Sequence, residues 1–179
     1  MNNKVLFGPY YIFIKGLKED SEVMKLLNMK DYILKSKKMP FNGGFLESGV
    51  CITENNNWKH IIDGWSYEMW QIQERNHFEN IRKVGKNYEL FSFMVGDSDE
   101  TLEYSYYKGG SLIREYRYRE SISGEVLLKK SFGKPLPSEN ASFDKKSENY
   151  TNMLNIAESI GIKFSHNIST LNLYEHKYD

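Results

Sequence analysis

Between residues 88 and 130 four β-forming runs follow one another: "YELFSFMV", "TLEYSYYK", "SLIREYRYRE" and "EVLLKKS". Each is rich in aromatic or β-branched side chains, and the joints "GDSDE", "GG" and "SISG" carry the glycines that short turns use. This pattern predicts an antiparallel meander at the centre of a mainly antiparallel sheet, to which the other elements must attach.

The flanking segments supply those elements. "YYIFIKG" reads as a first strand, and "EDSEVMKLLNM" as a short helix capped by Asp20 or Ser21, with Val23, Leu26 and Leu27 at helical spacing. "DYILKSK" is a second strand, and "ESGVCITENNNWKHIIDGW" is a hairpin turning in the polar "ENNN". Trp70, Phe78, Ile81 and Val84 fit one helical face, with Gly85 placed as a stop. After the proline-bearing loop "GKPLPSENASF", Tyr150, Met153, Leu154, Ala157 and Ile160 recur at helical spacing. Gly161 then suits a left-handed cap, and Ile162 its apolar contact. The tail "STLNLYEH" is expected as a last edge strand or an extended arm. The prediction is one α+β domain over residues 1–179, with two principal helices, in part of 67–84 and over 144–160. A chain of 179 residues fits one core of this kind.

Charge and cysteine usage narrow the function. The 24 basic and 24 acidic residues cancel, which argues against a general attraction to nucleic acid or anionic membrane. Any charge-driven binding must come from local patches. The single cysteine, Cys51, leaves neither an internal disulfide nor a set of thiol ligands for zinc, so a cytoplasmic location is expected. No export signal and no run near the ~18 apolar residues of a membrane span is found in the sequence.

Candidate chemistry is sparse. Asp97, Asp99 and Glu100 in "GDSDE" offer oxygen ligands for a hard cation, a docking patch, or only a solvated turn. "DSDETLEYSYYK" lacks the central Gly and closing Glu of a twelve-residue calcium loop, so no metal site and no cofactor is expected. His60 and Asp63 are the nearest His–carboxylate couple, but their odd spacing puts them on opposite faces of a strand. Serines such as Ser48 and Ser98 lack a nucleophile-elbow context, and no phosphate-cradling loop is found. Trp58, Trp65 and Trp70 cluster with Tyr67, as core packing or as a partly exposed contact surface. Arg114, Arg117 and Arg119 alternate with Tyr116 and Tyr118, and Glu103 on the preceding run stands ready for cross-strand ion pairing with them.

"GVCITENNNWKHIIDGWSYEMW" followed by "YELFSFMVGDSDETLEYSYYKGGSLIREY" resembles small, uncharacterised bacterial proteins of immunity type that accompany polymorphic toxins. The resemblance covers residues 48–120 and implies a cytoplasmic partner-binding protein. On this reading the chain is a non-enzymatic protein binder that neutralises a toxin or another effector. The resemblance supplies no site residue; independently of it, the clustered acidic and aromatic side chains point the same way, and the expected contact residues are Asp97, Asp99, Glu100, Glu103, Trp65, Tyr67, Trp70 and Arg114. The alternative is a small enzyme or ligand-binding module built on His60, Asp63, Asp97 and Asp99.

Overall fold

The computed structural model describes residues 6–38, 44–96, 101–139, 149–163 and 171–177. In chain order its elements are β1 (Leu6–Phe7), β2 (Tyr10–Lys15), α1 (Asp20–Leu26), β3 (Tyr32–Ser36), β4 (Gly44–Phe45), β5 (Val50–Asn55), β6 (Trp58–Asp63), α2 (Glu68–Arg75), α3 (Glu79–Gly85), β7 (Leu90–Val95), β8 (Leu102–Lys108), β9 (Ser111–Glu120), β10 (Val126–Phe132), α4 (Asn149–Ser159) and β11 (Asn172–His176). Nine strands form one sheet in the order β10-β9-β8-β7-β2-β6-β5-β11-β3, antiparallel at every pairing. The two short strands β1 and β4 pair in parallel beside it.

The meander is present as β7 to β10, but it runs from one edge inward, and β2 occupies the middle of the sheet. "YYIFIK" lacks polar alternation because both of its faces are covered. Tyr11 and Phe13 enter one apolar layer, while Tyr10, Ile12 and Ile14 enter the other. The Phe13 layer is closed by α4 through Met153, Ile156 and Ala157. The Ile12 layer is closed by α1, α2 and α3 through Val23, Met69, Ile81 and Val84. The fold is therefore α+β, an antiparallel sheet with helices on both faces.

Several expectations are refined. The helix in 67–84 is two helices, because Asn76 turns its side-chain amide onto the Ile72 carbonyl (2.7 Å), and His77 and Phe78 take left-handed φ values of 49° and 57°. Gly85 is not a left-handed stop. It is the last residue of α3, buried where a Cβ would meet the Tyr107 ring at 2.3 Å, so it permits close approach of helix and sheet. Gly161 does take the left-handed position (φ 93°), with the Ile162 amide bonded back to Ala157 and Ile162 fully buried. On α4 the buried stripe is Met153, Ile156 and Ala157, with Tyr150, Leu154 and Ile160 at its margins, and the expected start near 144 lies outside the described residues. α1 is capped by Glu19 in a reciprocal box with Glu22 rather than by Asp20 or Ser21. The tail strand β11 is not an edge, since it lies between β5 and β3. The β5–β6 hairpin turns on Asn56 and Asn57 alone, both left-handed, as a two-residue turn matched to strand twist requires.

Candidate protein-contact surface

Register brings a set of loops to one end of the sheet. Asp63 at the end of β6 pairs with Val50 at the start of β5 and with Tyr10 at the start of β2. Tyr10 pairs with Met94 near the end of β7, and the row continues through Glu103 to Arg117. The connections before β2, before β5, after β6, after β7 and after β9 therefore all emerge on the same side.

Aromatic side chains gather there. The β1–β4 pairing sets Phe7 beside Phe45, with ring centroids 5.7 Å apart. The Leu46 amide bonds to the Phe7 carbonyl and the Trp65 amide to the Leu46 carbonyl, which brings Trp65 to 6.2 Å from Phe45. Tyr67, held left-handed at the start of α2, stands edge-on to Trp65 at 6.0 Å. The row Phe7, Phe45, Trp65, Tyr67 thus comes from three separate segments fixed by backbone hydrogen bonds. Phe45 is 71% exposed, while the other three are half-buried. Aromatics in such partly exposed settings are the residues that anchor protein interfaces.

Of the residues anticipated from sequence, Trp65 and Tyr67 lie in this row. Trp70 turns inward, packed edge-on against Tyr10 at 5.1 Å with the Arg119 guanidinium over its ring. Glu103 is buried and paired across the strands to Arg117 (3.7 Å) and Arg119 (2.5 Å), the cross-strand ion pairing anticipated for it. Arg114 is also buried and serves the interior: its guanidinium grips Glu139 and donates to Ser131 Oγ and to the Phe132 and Gly133 carbonyls. Asp97, Asp99 and Glu100 lie outside the described residues, and their flanks Gly96 and Thr101 are joined by a 2.8 Å backbone bond at the aromatic end. Phe7 and Phe45 escaped sequence reasoning because each lies in a two-residue strand without periodicity. The one signal was an apolar residue directly after "NGG".

The couple His60 and Asp63 is divided by the sheet. His60 is wholly buried edge-on to Phe13 at 4.9 Å, in the α4 layer. Asp63 points to the other layer and accepts the Trp70 amide at 2.8 Å, in the first turn of α2. Burial pushes the Asp63 carboxyl up to about 7, opposed by backbone hydrogen bonds from Trp70 and Met69 and reinforced by Glu68. The folded state therefore holds this proton where the unfolded chain, with its carboxyl near ~3.9, has released it. The contribution to stability is complete below ~4 and is lost as pH rises through about 7. Asp63→Asn keeps an acceptor for Trp70 without titrating. The stability of wild type relative to this variant is expected to fall between pH 4 and 7, by at most about 1.4 kcal/mol per pH unit. Chemical denaturation at several pH values checks this, and a difference that is flat or rises with pH would refute it.

Among the described residues no group of three or more His, Cys, Asp or Glu converges on a point that could hold a metal ion. No helix among them is long and apolar enough to cross a membrane. No protein-family model, curated protein or solved structure matches the chain.

Proposed function

We propose that this chain is a non-enzymatic, cytoplasmic protein-binding protein of inhibitor or immunity type, and that it meets its partner with the aromatic end of the sheet. The observation that carries the reading is Phe45, mostly in solvent yet held in line with Phe7, Trp65 and Tyr67 by backbone bonds. A large apolar ring fixed in water with aromatic neighbours gains by being covered, and a preorganised row loses little entropy when that happens. The acids Asp97, Asp99 and Glu100, carried between Gly96 and Thr101, add local negative charge that favours a basic partner. His60 and Asp63 face different layers, so the alternative of a catalytic couple lacks the geometry it needs.

The test is retention of a specific protein from lysate of the source cells on the immobilised chain. Phe45→Ala combined with Trp65→Ala is expected to weaken retention by at least about tenfold, as loss of interface anchors does. Exchanging Asp97, Asp99 and Glu100 for Asn, Asn and Gln is expected to slow association at low salt, with the difference shrinking at high salt. Equal retention by wild type and the aromatic variant would sink the proposal.

A further inference from the structure

The far edge of the sheet, at β10, carries a second surface several strands away from the aromatic row. Five of the eight large apolar side chains exposed among the described residues, Ile113, Ile122, Val126, Leu127 and Phe132, lie on the β9–β10 hairpin. Among the described residues β10 pairs with β9 only, which leaves one side of its backbone without a strand from those residues. Every residue of β10 but Leu128 is exposed, and Leu127 is 63% exposed. An open, apolar edge is a template for another strand.

We propose that β10 pairs antiparallel with β10 of a second copy of this chain, joining the two nine-stranded sheets across a two-fold axis. Charge along the strand selects this occupant. "EVLLKK", residues 125–130, begins with an acid and ends with two bases, so reversing one copy against another sets opposite charges together. The opposite edge, β3, also exposes Ile33 and Leu34, but residues 30–38 carry four lysines and one acid, so self-pairing there would bring two strongly positive stretches together.

The bulge in β10 fixes the register. Val126 pairs with Glu120 and Lys129 with Tyr118, which places both on one face of the sheet. Leu128 pairs with Arg119 and Lys130 with Arg117, which places both on the other. The irregularity between Val126 and Leu128 makes Leu127 the extra residue. Setting Leu127 opposite the second copy's Leu128 then puts Val126 opposite its Lys129, on a shared face. One step further, Glu125 stands opposite its Lys130, again on a shared face. Each contact occurs twice about the axis. A bulge ordinarily discourages strand addition, yet β10 already pairs across it with faces matched to β9, and in this register it does the same with a second copy.

The experiment is sedimentation equilibrium of the full chain over a wide concentration range. Wild type is expected to dimerise. Leu127→Glu is expected to weaken the dimer at least ~100-fold, about tenfold for each of two altered pairs, with the melting curve unchanged at concentrations where wild type is monomeric, because the site is exposed. Glu125→Lys and Lys130→Glu should each be monomeric alone and form a heterodimer when mixed, since mixing restores opposite charges at both positions. Because Lys130 also pairs with Glu115 within the chain (2.5 Å), the thermal melt of Lys130→Glu is recorded alongside. A wild type that stays monomeric throughout, a dimer that survives Leu127→Glu, or swap variants that do not associate on mixing would each overturn the proposal.

Discussion

Phe13→Ala is expected to cost about 3–5 kcal/mol of unfolding free energy, among the largest losses any single substitution in this chain should give. Phe13 lies in β2, the middle strand, and is inaccessible to solvent. Its ring packs against Tyr11 at 5.9 Å, Phe93 at 6.0 Å, Phe91 at 6.2 Å and His60 at 4.9 Å. These neighbours sit on β2 itself and on the strands hydrogen-bonded to either side of it, β6 and β7. Closing the cavity would require strands held by continuous ladders to move together, so the hole stays open and the packing loss is not recovered. Equilibrium denaturation in urea measures the cost. Phe45→Ala, at an exposed ring, is expected within about ±0.5 kcal/mol of wild type and serves as the control. A loss below ~1.5 kcal/mol for Phe13→Ala would mean that the aromatic layer repacks.

The contrast between those two phenylalanines also explains how much of the molecule was legible in the sequence. The meander was readable because its four strands are joined by short turns, so neighbours in sequence are neighbours in space. The same locality made the Glu103–Arg117 pairing foreseeable. The position of β2 was not, because it joins segments some fifty and eighty residues downstream, and no local pattern encodes that choice. A retrospective signal exists: "YYIFIK" is apolar on both parities, which marks a strand buried on both faces. The split between α2 and α3 was hidden because left-handed His77 and Phe78 oppose local preference and are held by tertiary contacts, among them the Arg117 guanidinium over the Phe78 ring at 4.9 Å. The aromatic row was half legible. Trp65 and Tyr67 announced themselves by clustering, whereas Phe7 and Phe45 join them only through the β1–β4 pairing.

Arg114→Ala is expected to cost about 3–5 kcal/mol, the range for removing one partner of a buried ion pair. Glu103, the cross-strand acid expected for these arginines, pairs with Arg117 and Arg119, whereas Arg114 takes Glu139, beyond β10 in the proline-bearing loop. Its Nε donates to Glu139 Oε2 at 3.1 Å and to the Tyr104 hydroxyl at 3.2 Å, and one terminal nitrogen completes a fork on the carboxylate. The other terminal nitrogen donates to Ser131 Oγ at 2.7 Å, the Phe132 carbonyl at 3.0 Å and the Gly133 carbonyl at 3.3 Å, tying the end of β10 to the sheet. Truncation leaves the Glu139 carboxylate buried without its cation and these acceptors without their donor. Burial by itself would raise Glu139, but the hydrogen bonds from Arg114, Tyr104 and the Leu136 amide outweigh it and hold the carboxyl below its usual range. A carboxyl lowered by folding stabilises above its unfolded value, and that stabilisation is lost as pH falls through the folded one. The gap between wild type and Arg114→Ala is therefore expected to be widest near neutral pH and to narrow on acidification. Arg114→Lys should recover little, because a single ammonium cannot span the fork and the β10 carbonyls together. Arg114→Met combined with Glu139→Gln should recover more, because no charge is then left buried. A single-variant loss under ~1 kcal/mol, or a double variant no better than Arg114→Ala, would show that Glu139 does not depend on this arginine.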